Sequence, residues 1–369
     1  MNSKSSPKAA WRTIVFVLAA IPLAVSAQNA ALGAQQQDWR SANDAAGQLK
    51  RGHADVLKWE KANPLQPTPV QMPPQPAITL LTVDDLIRQA WRAHPDLLSP
   101  LSRLGATNVA LIAAGRWTEM DPSLQRRVDD LGEVLHVAVQ AKKAWLQAVA
   151  ARQVLVHYRA AAESAEAANE LGLRMVSVGN WSKLKQTQGQ LAQSAAQMNW
   201  MRGQYAASQA QAHLIKTLGL KGQYASVVLP NSLPDVLVQP VPNDEWKKRA
   251  LAIQAQLPRA ESIRNNANTD MALAAYQASH ALLQTSREVL KVRDFVSEET
   301  VLHYNGMLSS VWDLLDESRN RSQAAMDVIG AQRDFWIAET DLQWVLQGGE
   351  PDSFVSLGGD AGSAAPAAH

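Results

Sequence analysis

Tyr304-Asn305-Gly306-Met307-Leu308-Ser309, running on into Val311-Trp312-Asp313-Leu314-Leu315, has a counterpart earlier in the chain at Val178-Gly179-Asn180-Trp181-Ser182-Lys183-Leu184. In each stretch a glycine is followed three residues later by a serine. Glycine adopts the positive φ that ends a helix without a Cβ penalty, and a serine hydroxyl caps the helix that follows. Gly179 with Ser182, and Gly306 with Ser309, are therefore read as the turns of two helical hairpins.

The flanking sequence agrees. Ser123 to Val178 contains no proline, and as one helix it would extend about 80 Å. Its apolar positions step through Leu124, Val128, Leu131, Leu135, Val139, Trp145 and Val149. After the first turn Leu184, Leu191, Met198, Tyr205 and Ala212 recur every seven residues, with Gln186, Gln190, Gln193, Gln197 and Gln204 on the other side. After the second, Leu308, Leu315, Ile329 and Trp336 keep that register, with Ser322 in one place. A narrow seven-residue stripe predicts coiled-coil packing.

The openings repeat as well. Val83-Asp84-Asp85-Leu86 leads to Pro95, and Asn243-Asp244-Glu245-Trp246 leads to Pro258. In each case an acidic start suits a helix N-terminus and the proline ends or kinks that helix. The expected fold class is all-α, with two long helical-hairpin repeats at 80–219 and 243–347, joined by a proline-containing linker at 220–242. Residues 28–79 read as a polar arm, with one helix at Ala42 to Lys61 and a proline-rich linker, and 348–369 as a disordered Gly/Ala/Ser tail.

Residues 1–27 read as a secretory signal: Lys4, Lys8 and Arg12 precede an apolar stretch from Ile14 to Val25 and a Val25-Ser26-Ala27 cleavage site. Cleavage removes those three of the 35 basic residues, leaving 32 against 34 acidic ones. So balanced a chain carries no electrostatic footprint for nucleic acid. The absence of cysteine excludes disulfides, thiolate metal sites, cysteine nucleophiles and acylation of an N-terminal Cys. No second long apolar run follows the signal, so no helix is expected to span a bilayer after cleavage.

The turns and openings together resemble the TolC family of outer-membrane efflux channels over about Leu80 to Gly348. The second turn looks like the family's periplasmic turn of aromatic, short spacer, Gly, Ser and acidic-Leu-Leu. The first departs from it, with Val176 at the aromatic position and Lys185 at the acidic one. The resemblance implies a homotrimer whose long helices form a periplasmic tunnel beneath a β-barrel, and whose hairpin tips meet a periplasmic adaptor. The barrel strands would fall between the ascending and descending helices of each repeat. Here that interval holds only Gly115 to Asp121 in the first repeat, with Pro122 opening the next helix, and Asn265 to Asp270 in the second. A membrane strand takes about 9–11 residues, so the chain reads as a TolC-like helical body without transmembrane β-strands.

No catalytic residues, cofactor site or metal site are assigned. The carboxylate pairs Asp84-Asp85, Asp129-Asp130 and Glu298-Glu299 point to different sides of a helix and read as solvated or capping groups. His136 with Glu133, and His303 with Glu299, share helix faces but lack a third ligand. Met198, Trp200 and Met201 resemble a soft copper(I) cluster, yet Met198 also fits the packing stripe.

The candidate contact residues lie at the tips: Gly179, Trp181, Ser182, Lys183 and Lys185 on one, and Gly306, Met307, Leu308, Ser309, Asp313 and Asp316 on the other. Trp181, Met307 and Leu308 would anchor a partner, while opposite charges at one level would hold the tips in register. The expectation is a non-enzymatic export component in the periplasm or peripheral to the outer membrane. The alternative is a soluble periplasmic scaffold or copper-tolerance binding protein; an enzyme's accessory subunit would look the same in sequence.

Overall fold

A computed structural model describes residues 77–220, 226–236, 241–351 and 353–355. The signal, the helix at Ala42 to Lys61, the proline-rich run from Pro64 to Pro76 and most of the tail lie outside the described residues.

The chain is all-α. Strand β1 (Ala77–Thr79) leads into α1 (Val83–Arg92), α2 (Leu98–Ala113), the single turn α3 (Leu124–Arg127), and the long helices α4 (Leu131–Ser177) and α5 (Lys183–Thr217). Strand β2 (Ser226–Val228) then precedes α6 (Asn243–Gln254), α7 (Arg259–Asn305) and α8 (Val311–Val345). Among the described residues, β1 and β2 are the only strands, and they pair in parallel.

The repeat is exact in its long helices. α4 and α7 each have 47 residues, α5 and α8 each have 35, and all four boundaries shift by 128. Among the described long helices the main packing is α5 on α4, α4 on α8 and α8 on α7, so they stand in the order α5, α4, α8, α7. α5 and α7 therefore form the two outer edges. α1 lies on α4, and α6 on α7.

Thr82 caps α1 by accepting from the Asp85 backbone N–H at 3.2 Å, and the helix ends before Pro95. The stretch from Ser123 to Val178 is not one helix. Val128 is extended and Asp130 has φ +63°, so the chain turns before α4 starts at Leu131. The expected break at Asn265 to Asp270 is also absent, because these residues lie inside α7. Asn265 and Thr269 share its buried side: Asn265 Nδ2 donates to the Val345 carbonyl at 2.6 Å, and Thr269 Oγ1 to the Asn265 carbonyl at 2.7 Å. Polar composition suggested a loop; satisfied hydrogen bonds keep the helix.

Burial concentrates at the end away from the tips. In α4 the buried residues run from Leu131 to Ala150, with Gly172 the one exception. Between α4 and α8, Lys142 Nζ reaches Glu339 Oε2 at 3.0 Å and lies 5.3 Å from the centre of the buried Trp117 ring. Trp117 belongs to the short Gly115 to Asp121 connection. Its N–H donates to Gln343 Oε1 at 2.9 Å, its carbonyl accepts from Gln347 Nε2 at 2.8 Å, and its indole donates to the Ile112 carbonyl at 2.9 Å. The connection is thus locked into the core rather than left as a loose loop. On its surface Arg116 pairs with Glu119, and Asp121 pairs with Arg127 of α3. A second ion pair, Lys143 with Asp341, lies nearby, and burial pushes the Asp341 carboxyl up from its ordinary pKa.

The stripe Leu184, Leu191, Met198 and Tyr205 is exposed, with Leu184 at 72%. The side of α5 that meets α4 instead follows Gly189, Gln193, Ala196, Trp200, Gly203 and Ala207, spaced alternately four and three and all partly or fully buried. The seven-residue periodicity is real, but within the chain mostly small and polar residues form the seam. In the second hairpin Ile329 is buried, Leu315 and Trp336 are half-buried, and Leu308 is exposed.

Candidate functional site

Both tips close with the same backbone pattern, in different residues. At the first, Asn180 N–H bonds the Met175 carbonyl at 2.9 Å, Gly179 takes φ +80°, and Ser182 Oγ accepts from Lys185 N–H at 3.3 Å. At the second, Leu308 N–H bonds the His303 carbonyl at 2.8 Å. There Gly306 has φ −82°, and Met307 takes the left-handed position at φ +58°. The cap is Ser310, not Ser309: Ser310 Oγ accepts from Asp313 N–H at 3.3 Å, and Asp313 Oδ2 accepts from Ser310 N–H at 2.8 Å. These reciprocal bonds form a capping box and hold the Asp313 carboxyl below its ordinary pKa.

The expected charge pairing across the tips does not form. Asp313 caps its own helix, Asp316 pairs with Arg319 at 3.0 Å, and Lys185 Nζ lies 4.6 Å from the centre of the Trp181 ring. Lys183 is exposed and makes no ion pair among the described residues. The hairpins meet instead through Trp181 stacked on Trp312, with ring centres 4.3 Å apart and planes 29° from parallel. Trp312 stood in the quoted turn motif but was not among the candidate contacts. One signal could have found it: with Ser310 as the cap, it is the second residue of its helix and level with Trp181.

Gly172 makes room for the stack, since a Cβ there would lie 3.1 Å from the Trp181 ring. Beside it Ala161, Ala165, Ala168, Gly189 and Ala192 leave a hollow of about 440 Å³, edged by Lys185, Asp316 and Arg319. Below it the tip residues face solvent, Met307 being 94% and Leu308 79% exposed.

Among the described residues, no group of three His, Asp or Glu side chains is placed to hold a metal. His136 packs against Trp344, ring centres 5.4 Å apart, rather than joining Glu133 in a site. Met198 and Met201 are exposed on the outer side of α5. Among the described residues no helix is long and apolar enough to cross a membrane.

No protein-family profile and no curated protein matches the chain by sequence. Solved structures match by shape. CusC, from a study of conformational changes accompanying folding and transmembrane channel formation, matches at 12% identity and TM-score 0.49, over 72% of this chain and 96% of that one. The Campylobacter jejuni CmeC outer membrane channel matches at 11% identity and TM-score 0.46, over 66% and 68%. The open state of the Neisseria gonorrhoeae MtrE outer membrane channel matches at 12% identity and TM-score 0.45, over 72% and 89%.

Proposed function

We propose that the protein is a non-enzymatic, TolC-like component of an envelope export system, secreted to the periplasm. It assembles as a homotrimer and acts through its hairpin tips on a periplasmic adaptor or another envelope protein. The observation that carries this reading is the second tip, where Met307 and Leu308 stand in water at the end of a rigid turn. Exposed apolar residues on a preorganised backbone are the usual anchors of an interface. The tip residues Gly179, Ser182 and Ser310 shape the turns, while the Trp181–Trp312 stack holds the hairpins side by side.

The charged surface at Gly115 to Asp121, paired within itself and with Arg127 of α3, favours a second reading, a periplasmic scaffold that does not itself conduct. Both readings are tested by Met307→Asp and Leu308→Asp in the native host. With melting temperature unchanged, the variants should lose cross-linking to a periplasmic partner together with export or tolerance. Loss of cross-linking with export intact supports the scaffold. Retention of both overturns the role of the tips.

A further inference from the structure

Two neighbouring lysines of α4 cross to α8 and meet carboxylates in unlike surroundings. Lys142 Nζ donates to Glu339 Oε2 at 3.0 Å, and Glu339 Oε1 accepts a second bond from Gln343 Nε2. Lys143 pairs with Asp341, which is 1% exposed and whose two oxygens have no well-directed hydrogen bond among the described residues. The first carboxylate is held by two donors, the second by one ammonium alone. Among the described residues these are the only ion pairs between α4 and α8, the seam that joins the two hairpins.

Lys143 also borders an open groove of about 970 Å³, walled by α4, α5, α8 and the segment Ser353 to Val355. Ile337 and Trp344 line this groove, and Asp341 stands between them at helical spacing, so it lies beneath the groove on the same face of α8. We infer that Lys143 and Asp341 form an acid-released latch beside the groove. In acid the Asp341 carboxylate takes up one proton from solvent and becomes neutral. The ion pair ends, and the Lys143 ammonium, on its flexible stem, turns into the groove as a site for an anion.

Burial sets the direction. Taking a carboxylate out of water disfavours its charged form, and here that outweighs the attraction of Lys143, so the Asp341 carboxyl stands above its ordinary pKa. A carboxyl raised in the folded state costs stability while it is ionised, and the cost is lifted as the pH falls through the folded value. At this position, therefore, acid favours the folded chain, and the change is delivered to the groove rather than lost in unfolding.

The other charges nearby are already matched. On α4, Lys142 is held by Glu339. The Gly115 to Asp121 connection, which also touches α8, keeps Arg116 paired with Glu119. α7 buries Asn265, Thr269 and Ala272 along its contact with α8, none of them titratable, and Ser353 to Val355 bring no charge. Within the groove α8 presents Arg333 and Asp334, paired with each other, and α5 presents His213. With Asp341 ionised, Lys143 is compensated; with Asp341 neutral, its charge stands alone in the groove and attracts anions.

Asp341→Asn in the full chain mimics the protonated state, and two measurements test the latch. In thermal melting the variant should melt above the wild type at about pH 7.5, with the gap closing toward about pH 5. A variant that melts lower at the higher pH, or a gap that ignores pH, overturns the latch. Sulfate, whose charge is constant over this range, is the anion probe, with binding read by calorimetry. The wild type should bind it about tenfold more tightly at the lower pH, and Asp341→Asn equally well at both. Adding Lys143→Gln to Asp341→Asn strands no buried carboxylate and should abolish the binding. His213→Gln should keep the wild-type difference, since an imidazole also titrates in this range. If His213→Gln removes the difference, or the wild type binds sulfate equally at both pH values, the latch is overturned. Absence of binding in every form overturns the anion site.

Discussion

The two ends of the helical row are built on different principles. Away from the tips, α1 covers α4 and α6 covers α7, and the interior holds Trp117, Trp145, Trp246 and Phe335 with the Lys142–Glu339 pair. Toward the tips no further layer covers the hairpins among the described residues, and close contacts are made where a side chain is missing, as with Tyr158 on Gly203 and Trp181 on Gly172. The first end gains stability from buried area and satisfied polar groups. The second leaves apolar surface open and relies on fit.

The sharpest way to break the contrast is at Lys142. Removing one member of a buried ion pair strands the other, so Lys142→Ala should destabilise the fold by about 3–5 kcal/mol. It also frees the Trp117 ring and with it the Gly115 to Asp121 connection. Changing both partners, Lys142→Met with Glu339→Gln, should recover most of the loss, because no charge is then left alone. Urea unfolding of the four forms checks this. A loss below about 1 kcal/mol for the single change would mean that water reaches the pair.

At the tip-side end the comparable test is smaller. Alanine normally favours a helix interior over glycine by about 1 kcal/mol. Gly203→Ala should reverse that sign, because its Cβ would lie 2.6 Å from the Tyr158 ring, for a net loss of about 1–2 kcal/mol. Gly189→Ala, where the nearest atom is 4.0 Å away, should gain about 0.5–1 kcal/mol. Thermal melting of the two variants reads the difference directly, and equal shifts would show that the ring simply moves aside.

The contrast also marks what the amino-acid pattern could reveal. The hairpins, their long helices and the buried stripe from Leu124 to Val149 were legible, because turn chemistry and helical spacing are local. The stripe from Leu184 to Tyr205 was legible as a stripe but not as an outward one. Periodicity records that a face packs, not whether its partner belongs to the same chain. Asn265 to Asp270 misled because composition says nothing about a distant carbonyl such as that of Val345. The pairing of Lys185 with the acids failed for a related reason: closer groups, the Trp181 ring and the Ser310 amide, take those charges first.

The tips themselves give the finest comparison, since one places glycine in the left-handed position and the other places methionine there. The shift by one residue had a readable cause. Ser309 and Ser310 both offer a hydroxyl, but only Ser310 has an acid three residues on, and the capping box with Asp313 decides between them. Gly306 therefore becomes the last near-helical residue, and Met307 bears a strain of about 1–2 kcal/mol. Met307→Gly should stabilise the fold by about 1 kcal/mol, whereas Gly179→Ala should cost a similar amount. If Met307 serves only to turn the chain, its glycine variant should melt higher and function as before. If the side chain is retained for contact, the same variant should melt higher and bind its partner less well, a separation of stability from function that a loop residue would not show. Melting temperature and partner cross-linking, measured on one preparation, distinguish the two outcomes.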